Sequence, residues 1–336
     1  MEKHRIRSAA AAAALTVLLV FTATGCGSPD QQNQAKADTI CVVNTAPQLV
    51  GAAFTDTLKT TAHKHSQTIV DVAVPDATTA DVLAEAADGR CATVLAVGNS
   101  AAKNAARLAS EHRNIDFVGF TTEKMQPATN FKPVRIRIDQ GAFQAGYFAS
   151  GITKTGVMAV VTDSRRSMLA DGFYEGVQFY NQAKGSGVEV LGYNPALDTP
   201  VTPAKELVPQ LAASQADLFV TDTAAYDAQL LPLLKKRTGG VVWSGEDGFD
   251  SRADLSEFIA TSVVVNMSVP LEEICAGSEN GNLSVTPVEV SAANGGIQIA
   301  PFHNFDGRVS KSLRSELDQI ASQLKSGKIL IPGIDD

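Results

Sequence analysis

The sequence predicts an α/β protein of two lobes, each a doubly wound parallel sheet, on three observations. From residue 39 onward short apolar runs alternate with helical patterns, the signature of a parallel sheet with helices on both faces. The alternation starts afresh near residue 157, so two sheets account for it better than one long one. Between the two series, over 139–156, Gly141, Ala142, Ala145, Gly146, Ala149 and Gly151 recur at helical spacing, so that a neighbouring backbone can come very close to one helix face. A Gly or Thr-Gly break then ends that helix and a buried strand begins.

In chain order, strands are expected over 39–44, 68–74, 92–98, 116–120 and 134–139, with helices over 51–65, 79–88 and 100–113 between them. The second series has strands over 157–162, 188–193, 217–221 and 241–244 and helices over 167–183, 203–214 and 224–237. Pro200, Pro203 and Pro209 crowd one loop and helix start, which suits a first helical turn more than an interior. Past residue 258 the order loosens: a β-branched run at 259–266, a short helix ending near Gly277, strands at 285–290 and 297–302, and a helix at 310–326. A single lobe would leave these surplus, so the chain is expected to cross back there. The first lobe is accordingly read as 39–140 with about 267–284, the second as 155–258 with about 285–326, and the crossovers as 141–154 and 259–266.

With 336 residues, 44% hydrophobic and 19% charged, the chain is long enough for a substantial core. Its net charge of -8, without a Lys/Arg cluster after the first seven residues, argues against a nucleic-acid partner. A basic start (Lys3, His4, Arg5, Arg7) and an apolar run from Ala9 to Thr22 read as a secretory signal over 1–25. The small residues before Cys26 resemble the lipobox of bacterial lipoproteins, although Ala23 stands where Leu is usual. That resemblance implies a lipid-anchored Cys26 and an extracytoplasmic place at the cell membrane. Residues 26–38, polar and Gln-rich, read as a flexible tether. In an oxidising compartment Cys41, in the first strand, and Cys91, at the mouth of the third, are candidates for a disulfide, because those strands are neighbours in a doubly wound sheet. Three buried thiols, with Cys275, are the alternative. No Cys or His spacing suggests a metal site, and no cofactor is expected.

Ligands of such sheets bind off the carboxyl ends of strands, which selects the loops after the strand candidates and, within them, Asn44, Asn99, Arg166 and Asp222. No Gly-rich phosphate loop and no nucleophile elbow is present. Ser100 reads as an N-cap. Glu246 and Asp247 are adjacent carboxylates at a strand end, but no nucleophile with a base accompanies them, so an enzyme is not expected. Trp243 reads as core.

The run Gln140 to Gly146 with Thr153 to Gly156, then a strand and Phe173 to Val177, resembles the basic membrane protein family of substrate-binding lipoproteins. The tail from Leu324 to Pro332 is similar to that family's closing segment. The resemblance implies a two-lobed type I periplasmic-binding-protein fold that delivers nucleosides to an ABC permease. It also implies positions for ligand contacts, and most differ here. Leu49 and Leu197 stand where the family has stacking Phe rings, Thr121 where it has an Asp, and Val265 where it has a Lys; Asp247 alone corresponds to its ribose-binding Asp. A lost stacking ring forfeits about 1–3 kcal/mol per base, and each lost charge-assisted hydrogen bond about 1.5–3 kcal/mol. The expectation is a solute-binding lipoprotein of an ABC importer that keeps the scaffold but does not bind a nucleoside in the family's manner. Its expected contacts are Asn44, Leu49, Asn99, Thr121, Arg166, Leu197, Asp222 and Asp247. The alternative is a degenerate binding scaffold acting as a surface interaction or sensor lipoprotein.

Overall fold

The structure, a computed structural model, describes residues 39–72, 79–87, 91–164 and 167–334. The signal segment, the tether with Cys26, and Arg166 lie outside the described residues. Among the described residues no helix is long and apolar enough to cross a membrane.

Five strands, β1 (Thr39–Asn44), β2 (Thr68–Asp71), β3 (Thr93–Val97), β4 (Asp116–Thr121) and β5 (Phe131–Ile136), open the first sheet. A late strand, β11 (Val288–Val290), joins it to give the order β11-β5-β4-β3-β1-β2, parallel throughout. The second sheet contains β6 (Val157–Val161), β7 (Glu189–Leu191), β8 (Leu218–Thr221), β9 (Gly240–Gly245), β10 (Ile259–Val265) and β12 (Ile297–Ile299), in the order β12-β10-β9-β8-β6-β7. It is parallel except for the β10–β12 pair. Strand order reverses between β1 and β3 in one sheet and between β6 and β8 in the other, so each sheet has a switch point where a crevice opens.

The central strands are apolar on both faces because helices cover both. Ile40 and Val42 of β1 face one side while Cys41 and Val43 face the other. The helices are α1 (Pro47–Val50), α2 (Ala53–Lys64), α3 (Thr79–Ala87), α4 (Asn99–Ala109), α5 (Ile138–Ile152), α6 (Met168–Lys184), α7 (Ala204–Leu211), α8 (Asp227–Arg237), α9 (Gly248–Ser251), α10 (Ser268–Glu279) and α11 (Lys311–Lys325). Helix α4 begins at Asn99 with Gly98 as its N-cap, so Ser100 lies one residue inside the helix. Pro203 caps α7, but Pro209 sits inside it. Cys41 and Cys91 form a disulfide across the neighbouring β1 and β3, with their Cα atoms 5.7 Å apart. Cys275 is a free, buried thiol that burial raises to about 12.

The small-residue face of α5 meets α6 almost backbone to backbone. A Cβ on Gly146 would lie 2.2 Å from the Phe173 carbonyl oxygen, one on Gly172 2.3 Å from that of Asp139, and one on Gly176 2.0 Å from that of Phe143. The other side of α5 packs on the second sheet, where Gly141 faces Val263 and Ile297, and Phe148 stacks on Phe302 at 4.4 Å. Of residues 141–154, expected as a crossover, 141–152 belong to α5, which packs on the second sheet through Gly141. An apolar helix face carries no mark of which sheet will cover it. Of residues 259–266, expected as the return crossover, 259–265 form β10 in the interior of the second sheet. Residues 288–290, expected in the second lobe, pair with β5 of the first.

These segments are pinned by polar contacts. Arg137, almost fully buried, holds the fully buried Asp139 through a two-pronged ion pair with distances of 2.7–3.2 Å. The Arg137 N–H donates to the Val290 carbonyl, tying the start of α5 to β11. Fully buried Lys132 donates to Glu273 at 2.7 Å and to the carbonyls of Ser284 and Thr286, which fastens the returning segment to β5.

Candidate functional site

A cleft of about 280 Å³ opens between the carboxyl ends of the two sheets. It is built from the loops that leave each switch point. The first lobe supplies Thr45 to Leu49 after β1 and Gly98 to Ser100 after β3; the second supplies Ser164 and Ser167 to Leu169 after β6 and Asp222 after β8. Thr122, Ile138 and Ser244 complete the lining. Gly98 has φ +115°, and a Cβ there would meet Thr45 Oγ1 at 2.5 Å, so the tight approach of the two first-lobe loops requires glycine.

The first-lobe wall is a braced set of polar groups. Asn99 Oδ1 accepts from the Thr121 hydroxyl at 2.8 Å and from the Thr122 backbone N–H at 2.9 Å, while Asn99 Nδ2 donates to Thr122 Oγ1 at 3.0 Å. These bonds lock the amide of Asn99 at the cleft edge. Thr45 donates its hydroxyl to the Val97 carbonyl at 2.8 Å. On the second-lobe wall, Ser167 caps α6 by accepting from the Ala170 N–H. Asp222 is half-buried. Burial raises its carboxyl above the usual carboxylate range, and the hydrogen bond with Thr162 opposes that shift. Ser244, only 3% exposed at the end of β9, has no hydrogen-bond partner for its hydroxyl among the described residues. The lining thus combines hydroxyls and amides with an apolar strip of Leu49, Ile138, Met168 and Leu169, and Asp222 is its one ionisable group among the described residues.

Beside the cleft the lobes touch. A Cβ on Gly51 (φ +76°) would lie 2.5 Å from the Gly245 carbonyl oxygen, and one on Gly245 (φ +102°) 2.8 Å from that of Gln48. The Ala52 N–H donates to Glu246 Oε2 at 3.0 Å. Two glycines allow the backbones to meet, and Glu246 adds a bond across the gap.

Of the residues expected from sequence, Leu49, Asn99 and Asp222 line the cleft. Thr121 is fully buried behind it and holds Asn99. Asn44 turns inward, its Oδ1 accepting from the Ala46 N–H at 3.1 Å, and shapes the loop rather than the wall. Leu197 is 56% exposed on the loop between β7 and α7, away from the cleft. Asp247 caps α9 and pairs with His303 Nε2 at 3.0 Å, and that imidazole stacks on Phe249. Its carboxylate is turned toward β10 and the 303–308 turn because the chain bends at Gly245. Val265 and Trp243 are core, the latter with the Arg252 guanidinium 4.5 Å over its ring. Sequence reasoning missed Ser244, Ser164, Ser167 and Thr122. Only their places at strand ends marked them, and the loops as a group already carried that signal.

No family model and no curated protein matches the sequence. Solved structures do match. An ABC transporter system solute-binding protein from Aeropyrum pernix K1 is 16% identical, with 88% of this chain and 94% of that chain covered and a TM-score of 0.68. A transcriptional activator of the comK gene from Bacillus halodurans is 17% identical over 88% of this chain and 99% of that one, with a TM-score of 0.62. An ABC transporter system solute-binding protein from Conexibacter woesei DSM 14684 is 15% identical, covers 89% and 99%, and has a TM-score of 0.61. The likeness shows the fold, a two-lobed α/β architecture of the periplasmic-binding-protein kind.

Proposed function

We propose that the chain is an extracytoplasmic solute-binding protein that serves an ABC importer, anchored through a lipid on Cys26 after removal of residues 1–25 and lifted from the membrane by residues 26–38. The cleft carries this reading: loops of both lobes converge there from the two switch points, with fixed hydrogen-bonding groups and an apolar strip. This is the composition of a small-molecule site. Similarity to two proteins described as ABC transporter solute-binding proteins supports it. Binding would draw the lobes together about the passages at 137, 266–267 and 291–296, a hinge motion. The solute is not taken from the resemblance to nucleoside binders, because Leu197 and Asp247 stand off the cleft and Leu49 offers no ring.

A second reading, a degenerate scaffold acting as a surface interaction or sensor lipoprotein, is favoured by the contact of Gly51 with Gly245 and the bond from Ala52 to Glu246, which join the lobes directly. Thermal-shift screening of the full chain against sugars, nucleosides, amines and organic acids separates the two. A saturable rise in unfolding temperature supports solute binding. A flat response, with a protein partner recovered by crosslinking at the membrane, supports the scaffold.

A further inference from the structure

Ser244 and Asp222 sit one position beyond the register pair Thr221–Trp243 of β8 and β9. Neighbouring strands of a parallel sheet lie about 4.8 Å apart, so one small molecule can reach both residues. The Ser244 hydroxyl is buried at the cleft wall without a partner among the described residues. An unmet buried hydroxyl is a standing cost that a protein retains where something else meets it. Asp222 beside it is the one ionisable group of the lining among the described residues, and its carboxyl keeps acceptor positions beyond its bond with Thr162. A hydroxyl or ammonium donor brought to this wall would supply what the Ser244 hydroxyl lacks.

We propose that Ser244 and Asp222 form the recognition pair of the second-lobe wall, and that they select a small solute carrying hydroxyl or amine donors. The inference rests on the reading of the cleft as a solute site. The pair takes the donors, the Asn99 amide faces the solute from the first lobe, and the strip from Leu49 to Leu169 covers its apolar part. The volume of about 280 Å³ limits the solute to the size of a monosaccharide or a compact amine.

The test uses the full chain, Ser244→Ala and Asp222→Asn, with ribose, myo-inositol, ethanolamine and putrescine as donor probes and succinate and inorganic phosphate as anions. Without a probe, Ser244→Ala is expected to unfold at or above the wild-type temperature because its hydroxyl has no partner in the fold among the described residues, and Asp222→Asn close to it because Asn keeps an acceptor for Thr162. At least one donor probe should raise the wild-type unfolding temperature saturably, the anions should not, and each substitution should weaken that probe tenfold or more. Lowered unfolding temperatures in both variants would overturn the inference by making the two groups parts of the scaffold. Preference for succinate or phosphate would overturn it as well. A donor probe that binds equally well to wild type and both variants defeats the inference but leaves the solute-binding reading standing. Failure of every probe to shift the wild type counts against both.

Discussion

Replacing Gly176 by Ala tests the packing of α6 against α5. The added Cβ would lie 2.0 Å from the Phe143 carbonyl oxygen, 2.8 Å from its carbonyl carbon and 3.0 Å from its Cα. All three are backbone atoms of α5, so no side chain can rotate aside, and the two helices must separate by about 1 Å or more. Overpacking of this kind costs about 1–3 kcal/mol, and the rigid neighbour argues for the upper end. Against it stands the better helix propensity of Ala, about 1 kcal/mol. The net expectation is a loss of about 1–2 kcal/mol, read as a lower urea midpoint with an unchanged slope. Gly187→Ala is the control: a Cβ there meets nothing within 4 Å, and the change should stay within about 0.5 kcal/mol. Adding Gly172→Ala to Gly176→Ala should cost less than the sum, since the first separation makes room for the second Cβ. A Gly176→Ala protein as stable as the wild type would refute the claim that α5 and α6 are held at backbone contact.

Three further outcomes follow from the same structure. His65, at the end of α2, bridges Glu279 at 2.7 Å and Glu272 at 2.8 Å on α10. The hydrogen bonds to Glu279 and then Glu272 raise its pKa above the usual histidine value. Stability from this charged bridge is therefore fully present below about pH 6.5 and lost as pH rises through the raised value. The gap in unfolding temperature between wild type and His65→Ala should shrink over that rise, and a pH-independent gap would contradict the bridge. Reducing the Cys41–Cys91 disulfide, which spans a sequence separation of 50, should cost about 2–4 kcal/mol by freeing the unfolded chain; calorimetry with and without reductant measures it. Asp139→Asn removes the charge that Asp139 sets against the buried Arg137 guanidinium and should destabilise by about 3–5 kcal/mol, visible as a lowered denaturant midpoint.

The two sheets were legible because buried parallel strands write themselves as short apolar runs separated by helical periods, as 157–161 and 240–245 do. The close approach of α5 was legible only in part: Gly146 meets the backbone of α6, but Gly141 meets Val263 and Ile297 and Gly151 meets Leu313, so the small residues do not share one face. What could not be read was partner choice. Nothing in 138–152 says that this helix packs on Val263 and Ile297, more than a hundred residues away, and nothing in 288–290 says which sheet edge it joins. The site divides in the same way. Strand-end position pointed to Asn99 and Asp222, which lie in the lining of the cleft. Asp247 fits a resemblance in sequence, but its direction depends on His303, 56 residues further on. Ser244 is one polar residue in an apolar run, and only burial without a partner sets it apart.

The most direct test of the account is titration calorimetry of the full chain and of Ser100→Trp, in which the indole of a residue at the exposed edge of the cleft fills that space without entering the core. Saturable one-to-one binding of a small solute by the wild type and its loss in Ser100→Trp are expected, with the unfolding temperature of the unliganded variant unchanged. Binding that survives Ser100→Trp would place the solute elsewhere and contradict the assignment of function to this cleft.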